Sequence, residues 1–329
     1  MRIALVALIA FCAAVIPASA ALASFPSSPE LDDFAADASP NPLWITPALG
    51  EGAMSLNLTA TPHQFTGTDG RFDAAIWNAS YGRSVEVWAT IARSGTGDAA
   101  LYADVAGGSS SSGRVTSGYF ADFGGTASGG SRSQVSIWRI DGVRAERRLT
   151  LTGSPYVQLQ PGDQIGLSNN RGVIIAWYRP AGSSWRALVS TTDSRYARGR
   201  IGLEAIPGVD YGFGAFGGGA PSAPVRSRRT TIAISSPAAT VTVGRRVTYT
   251  ATVRPAPSHA AGRVAFLEGF TVIAGCEARP ITAGGRATCT VTYRAAGTHA
   301  VDALYTGSPS GALAGSGDTR AAVVHVARR

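Results

Sequence analysis

Apolar and polar positions alternate cleanly through residues 84–92. Val85, Val87, Ala89 and Ile91 fall on one face, and Glu86, Trp88 and Thr90 on the other. A period of two belongs to a strand with one face buried. It returns later in the chain, where Val247, Tyr249, Ala251 and Val253 alternate with Arg246, Thr248, Thr250 and Thr252. Shorter runs at 99–105, 118–123, 134–140, 164–167 and 200–204 read as further strands. Residues 172–179 and 184–190 read as a hairpin across Pro180-Ala181-Gly182-Ser183, a loop that sets Trp177 opposite Arg186 and Tyr178 opposite Trp185. Helix-type periodicity is absent outside the first residues. The expected fold class is all-β: antiparallel sheets stacked in pairs, each pair with buried inner faces and outer faces free for ligands.

Punctuation divides the pattern. An apolar run from Ile3 to Ile16 follows Arg2, and Pro17 and two small-residue cleavage patterns follow it, Ala18-Ser19-Ala20 and Ala21-Leu22-Ala23. This is the form of a secretory signal peptide over residues 1–23. Gly217-Gly218-Gly219-Ala220-Pro221-Ser222-Ala223-Pro224 marks a second boundary, because glycine loosens the chain and proline ends strands. The expected organisation is a signal peptide at 1–23, a larger domain at 24–220, a Gly/Pro/Arg linker at 221–230 and a smaller domain at 231–329. After cleavage no transmembrane segment is expected, and the protein is expected to be secreted or associated with the cell envelope.

Composition sharpens this picture at two points. Cys276 and Cys289 are the only cysteines beyond the signal peptide, and an oxidising compartment favours joining them in a disulfide. The net charge of +8 is unevenly spread and comes entirely from arginine, since the chain has no lysine. Residues 24–223 carry 15 Arg against 17 acidic residues, whereas residues 230–329 carry 10 Arg against 4. Nucleic-acid binding would interleave such charge with stacking aromatics, and the aromatics of the basic part sit in strand-like runs. Nucleic acid is therefore not expected as a partner; a solvated, incidental surface is the plainer reading of this charge, and attraction to an acidic envelope polymer stays open.

Short motifs in the larger domain resemble the concanavalin A-like, laminin G-like jelly rolls of exported bacterial proteins. The residues carrying the likeness are Leu31-Asp32-Asp33-Phe34, Trp44, Glu86-Val87-Trp88-Ala89-Thr90, Asp193-Ser194-Arg195-Tyr196, Gly199-Arg200-Ile201-Gly202-Leu203 and Asp210-Tyr211-Gly212-Phe213-Gly214. The smaller domain resembles bacterial Ig-like repeat domains through Gly262-Arg263-Val264-Ala265-Phe266, residues 285–291, Ala296-Gly297-Thr298-His299 and the Tyr305-Thr306-Gly307 turn. Ser308 stands where that family usually has Asp. The resemblances imply a jelly-roll sandwich followed by an Ig-like sandwich. They also imply that the first and last strands of the jelly roll meet, and that a structural calcium there would draw on Asp33 and Asp210.

Candidate chemistry is sparse. Jelly-roll glucanases take their paired carboxylates from one strand at Glu-x-Asp-x-x-Glu spacing, and no such triplet occurs here. The four histidines are scattered, and no Gly-x-Ser-x-Gly elbow exists. No catalytic residue is expected. Binding is the better expectation, because aromatic rings on a sheet face stack against the apolar faces of sugars while polar neighbours meet their hydroxyls. Glu86, Trp88 and Thr90, with Trp177 and Arg186 across the hairpin, are the candidate ligand residues; Trp44, Trp77, Trp138 and Trp185 are expected in the core. The leading function is non-catalytic recognition of an extracellular polysaccharide or glycoconjugate, with the Ig-like domain as spacer. A purely structural or adhesive surface protein is the alternative, and a glycan-active hydrolase the third.

Overall fold

A computed structural model describes residues 25–45, 54–68, 73–95, 97–107, 115–124, 135–142, 146–151, 157–206, 211–222, 227–257, 262–268, 271–282, 284–317 and 320–328. The expected signal peptide lies outside them. Among the described residues every regular element is a strand, and no helix is long and apolar enough to cross a membrane.

Two sheets stack to form the larger sandwich. The first runs Arg186–Thr192, Val173–Arg179, Gln164–Asn170, Ser84–Arg93, Gly212–Gly219, Gln64–Gly67, Met54–Asn57, and Glu30–Asp32 also pairs with Gly212–Gly219. The second runs Glu146–Leu151, Val135–Ile140, Val115–Gly124, Asp98–Gly107, Gly199–Ile206, Asp73–Tyr81, Trp44–Ile45. All the pairings are antiparallel. The terminal strands meet as expected, with Glu30 opposite Gly217 and Asp32 opposite Phe216.

The alternation read from residues 84–92 is obeyed. Val85, Val87, Ala89 and Ile91 lie in the inter-sheet core with Leu101, Tyr119, Ile137, Leu203 and Phe213. At one end Trp44 and Trp77 pack edge to face at 5.2 Å, and Phe34 stacks on Phe65 at 4.7 Å. Asp32 is buried in this end and accepts the Trp44 indole N–H at 2.7 Å. Burial raises its carboxyl to about 7.

Among the register breaks of the second sheet, one turns a carboxylate inward. Asp104 sits at φ 54° where the pairing of Asp98–Gly107 with Val115–Gly124 slips. That bulge turns its side chain into the sandwich, where Asn169 of the first sheet donates to it at 2.6 Å. Gly199 backs onto the bulge, since a Cβ there would come within 2.3 Å of the Asp104 carbonyl carbon.

The smaller sandwich pairs a three-stranded sheet, Thr231–Ser235, Arg246–Arg254, Arg286–Thr292, with a larger one built on Arg263–Glu268, Gly297–Tyr305 and Ala322–Ala327. Thr240–Thr242 joins Ala322–Ala327 in parallel. Val247, Tyr249, Phe266, Val301 and Tyr305 fill its core beside the disulfide. The expected bond between Cys276 and Cys289 is present, with Cα atoms 5.6 Å apart.

The two sandwiches touch. Ser190 Oγ accepts the Gly315 N–H and donates to the Thr306 carbonyl at 3.3 Å, while the Ala187 N–H donates to the Pro309 carbonyl at 2.7 Å. The contact caps Arg186–Thr192, an edge strand of the first sheet whose free N–H and C=O groups would otherwise stay open.

Candidate functional site

The outer face of the first sheet carries the residues singled out from sequence. One cross-strand row reads Ala187, Trp177, Gly166, Trp88, Gly217. Two indoles thus flank a glycine, leaving a flat slot. The chain fills that slot itself. Phe25 stacks on Trp177 at 4.8 Å with planes 4° apart, and meets Trp185 edge-on at 4.9 Å. Its ring rests on Gly166, where a Cβ would lie 2.4 Å from Phe25 Cε1.

In the next row Glu86 is equally covered. Its Oε2 accepts the Ser27 N–H at 2.8 Å and the Ser28 N–H at 3.2 Å. Burial pushes the Glu86 carboxyl up, against the lowering effect of those two donors. Ala314 of the smaller domain joins the same apolar cluster as Phe25, Trp88 and Trp177.

The platform expected to be open is therefore closed. Trp88 keeps 8% of its surface, Trp177 3% and Glu86 1%. Alternation identifies the outer side of a sheet, but it cannot report that a distant segment lies over it. The expected hairpin register also needs correction. A bulge between Ala176 and Trp177 sets Trp177 opposite Ala187 and Tyr178 opposite Arg186, whose guanidinium lies 5.3 Å above the Tyr178 ring. Thr90 accepts a hydrogen bond from Gln164 Nε2 at 2.8 Å.

The outer face of the second sheet carries a cluster that sequence reading missed. One row across five strands reads Trp138, Phe120, Tyr102, Gly202, Ile76. The row beside it reads Ser136, Asp122, Ala100, Glu204, Ala74. Trp138 and Phe120 stack with planes 1° apart at 5.8 Å, and Phe120 leans on Tyr102 at 5.7 Å. Tyr102 in turn donates its hydroxyl to Glu204 Oε2 at 2.5 Å. Each ring is held by the next, so the half-buried Trp138 is fixed against Phe120, and Arg148 of the edge strand Glu146–Leu151 is its cross-strand partner on the other side. Beside it lies the half-buried Asp122 carboxylate, whereas Ser136 in the same row is buried at 3% exposure. Trp138, expected in the core, belongs to this outer layer. So does Trp185 to the layer around Phe25, whereas Trp44 and Trp77 do pack on the core. The alternation of Val135–Ile140 held the signal: Val135 and Ile137 face inward, which turns Ser136 and Trp138 out.

Of the two expected calcium ligands only Asp33 lies among the described residues. Asp33 is exposed and accepts the Ala35 N–H at 3.2 Å, which makes it a turn cap. Asp210 lies outside the described residues. No group of three His, Cys, Asp or Glu side chains among the described residues is placed to hold a metal ion.

Known proteins match the two halves differently. Residues 234–326 match the family model of the bacterial Ig-like domain, group 3. No curated protein matches the chain. Among solved structures, a Bacillus subtilis protein of unknown function with a galectin-like fold is 11% identical, over 51% of this chain and 87% of its own, with a TM-score of 0.39. The exoplasmic/lumenal domain of VIP36, in a form bound to Ca2+ and Man2, is 12% identical over 56% and 83%, with a TM-score of 0.41. A putative membrane anchored protein from Corynebacterium diphtheriae is 11% identical over 85% and 51%, with a TM-score of 0.24. The chain is thus an antiparallel two-sheet β-sandwich followed by a second sandwich that matches the bacterial Ig-like model over residues 234–326.

Proposed function

We propose that this chain is a non-catalytic, exported or envelope-associated protein whose larger sandwich binds an extracellular glycan on the outer face of its second sheet. The supporting observation is the fixed Trp138 ring beside Asp122. An indole face takes the apolar side of a sugar ring, and the neighbouring Asp122 carboxylate accepts from the sugar's own hydroxyls. Rings that are already immobile lose little entropy when a ligand arrives, which favours binding. The first sheet is the poorer candidate, because its indole slot is filled by Phe25. In this reading the Ig-like domain is a spacer, held against the jelly roll through Ser190. Export is supported by the apolar run from Ile3 to Ile16 and the small residues after it.

A second reading, a purely structural surface protein, draws on the same closure of the first sheet by Phe25 and Ala314. A glycan array separates the two. The glycan reading expects the secreted chain to bind a defined set of oligosaccharides. It further expects Trp138→Ala to weaken binding about fivefold or more, in line with about 1–3 kcal/mol for an aromatic anchor, while the sandwich stays folded. No binding to any glycan, or unchanged binding by Trp138→Ala, overturns it.

A further inference from the structure

The three-stranded sheet of the smaller domain has an unusual outer face. Its strands, Thr231–Ser235, Arg246–Arg254 and Arg286–Thr292, send their apolar residues inward, to Val247, Tyr249, Ala251, Val253, Ala287 and Cys289. The twelve outward positions are seven threonines, one serine, one alanine and Arg246, Arg254 and Arg286. All three arginines are exposed. The strands contain no acidic residue.

The register orders these groups into a grid. Thr248 stands opposite Thr290, Thr250 opposite Thr288, and Thr252 opposite Arg286. Hydroxyls therefore repeat about every 6.8 Å along a strand and about every 4.8 Å across it. Threonine alone is ordinary on a solvent-facing strand, where branching at Cβ suits the pleat. Three guanidinium groups on the same face, with no carboxylate to answer them, are not explained by strand propensity. Arg279 adds a fourth at the open edge, where its Nε donates to the Thr288 carbonyl at 2.8 Å. Opposite charges on a sheet surface are normally interspersed, and their absence here leaves a local positive field.

We infer that this face is a docking surface for an anionic polysaccharide, a polymer whose sugar rings carry carboxylates. The arginines would take the carboxylates in forked, bidentate hydrogen bonds, and the threonine rows would meet the ring hydroxyls. The face offers no aromatic ring, which argues against nucleic-acid bases. The Ig-like domain would then hold the protein to an acidic envelope while the jelly roll recognises a second sugar. This surface is separate from the Trp138 face, so either can fail alone.

The test uses the full exported chain with polygalacturonate, neutral dextran and inorganic polyphosphate as probes. Polygalacturonate is expected to bind, and to weaken at least tenfold between 50 and 500 mM salt, as screening dictates, roughly. Arg246→Gln/Arg254→Gln/Arg286→Gln should lose at least tenfold in affinity with an unchanged melting curve, because all three side chains are exposed. Thr288→Val/Thr290→Val should weaken polygalacturonate while sparing polyphosphate, and Trp138→Ala should change neither. Retained binding in the triple arginine variant, equal binding of dextran, or polyphosphate binding as tightly as polygalacturonate would overturn the inference.

Discussion

Phe25→Ala removes the ring that closes the first sheet, and its cost can be worked from the contacts. The ring is 5% exposed, stacked on Trp177, edge-on to Trp185 and seated on Gly166. Burying a phenylalanine side chain contributes roughly 1.5–3 kcal/mol, and each aromatic pair adds about 0.5–1.5 kcal/mol beyond area. A segment near the chain terminus can detach locally without unfolding the sandwich, which limits the global loss. The expected outcome is about 2–3 kcal/mol less stability for the closed state. Tryptophan fluorescence should shift to the red, with greater acrylamide quenching as Trp177, Trp185 and Trp88 become wet. Gly166→Ala provides an independent route to the same state. Its backbone is not in the left-handed region, but the new Cβ would fall 2.4 Å from the Phe25 ring and must lift it. Glu86 should report the same opening, since displacing Ser27 and Ser28 returns its carboxyl to water. If both variants keep wild-type stability within about 0.5 kcal/mol and wild-type quenching, the closure described for this face is wrong.

Three further outcomes are expected. Burial raises Asp104 to about 7 from its ordinary 3.8, so the unfolded chain loses that proton first, and stability falls as pH rises from about 4 to about 7. Asp104→Asn tolerates the positive φ and should lose that part of the slope, so its stability falls less than the wild type's across that window, while Asp32, also raised to about 7 by burial, gives the same slope in both proteins; urea titrations at about pH 4 and pH 8 measure it. Cys276→Ser/Cys289→Ser opens a link across 13 residues and should cost the smaller domain roughly 3 kcal/mol, read from its denaturation midpoint. Ser190→Ala strips the joint between the domains of two hydrogen bonds, and trypsin should then cut faster at Arg226, Arg228 or Arg229, with unchanged rates refuting a fixed joint.

Strand positions and inner faces were legible because a period of two is written directly in the sequence. Residues 84–92, 135–140 and 200–204 lie in strands with their apolar sides in the core. The disulfide was legible from cysteine count and compartment alone. Three things were not. The register of the hairpin depended on a bulge at Trp177, which has no signature in residue type. The closure of Trp88 and Glu86 depended on Phe25 and Ser27, about sixty residues away in the chain, reaching across the sheet. The Trp138 row depended on the register of three consecutive strands, which sets Phe120 opposite both Tyr102 and Trp138, and on a distant strand that brings Gly202 beside Tyr102. Alternation says which side chains share a side of one strand; which strands lie beside it, and what lies over it, are decided by long-range packing.

The proposed glycan recognition on the second sheet is tested most directly by a crystal structure of the chain with an array-selected oligosaccharide. The expected result is a sugar ring stacked on Trp138, with its hydroxyls toward Asp122, and Phe25 still seated between Trp88 and Trp177. A sugar found on the first sheet, with Phe25 displaced from its slot, would contradict it.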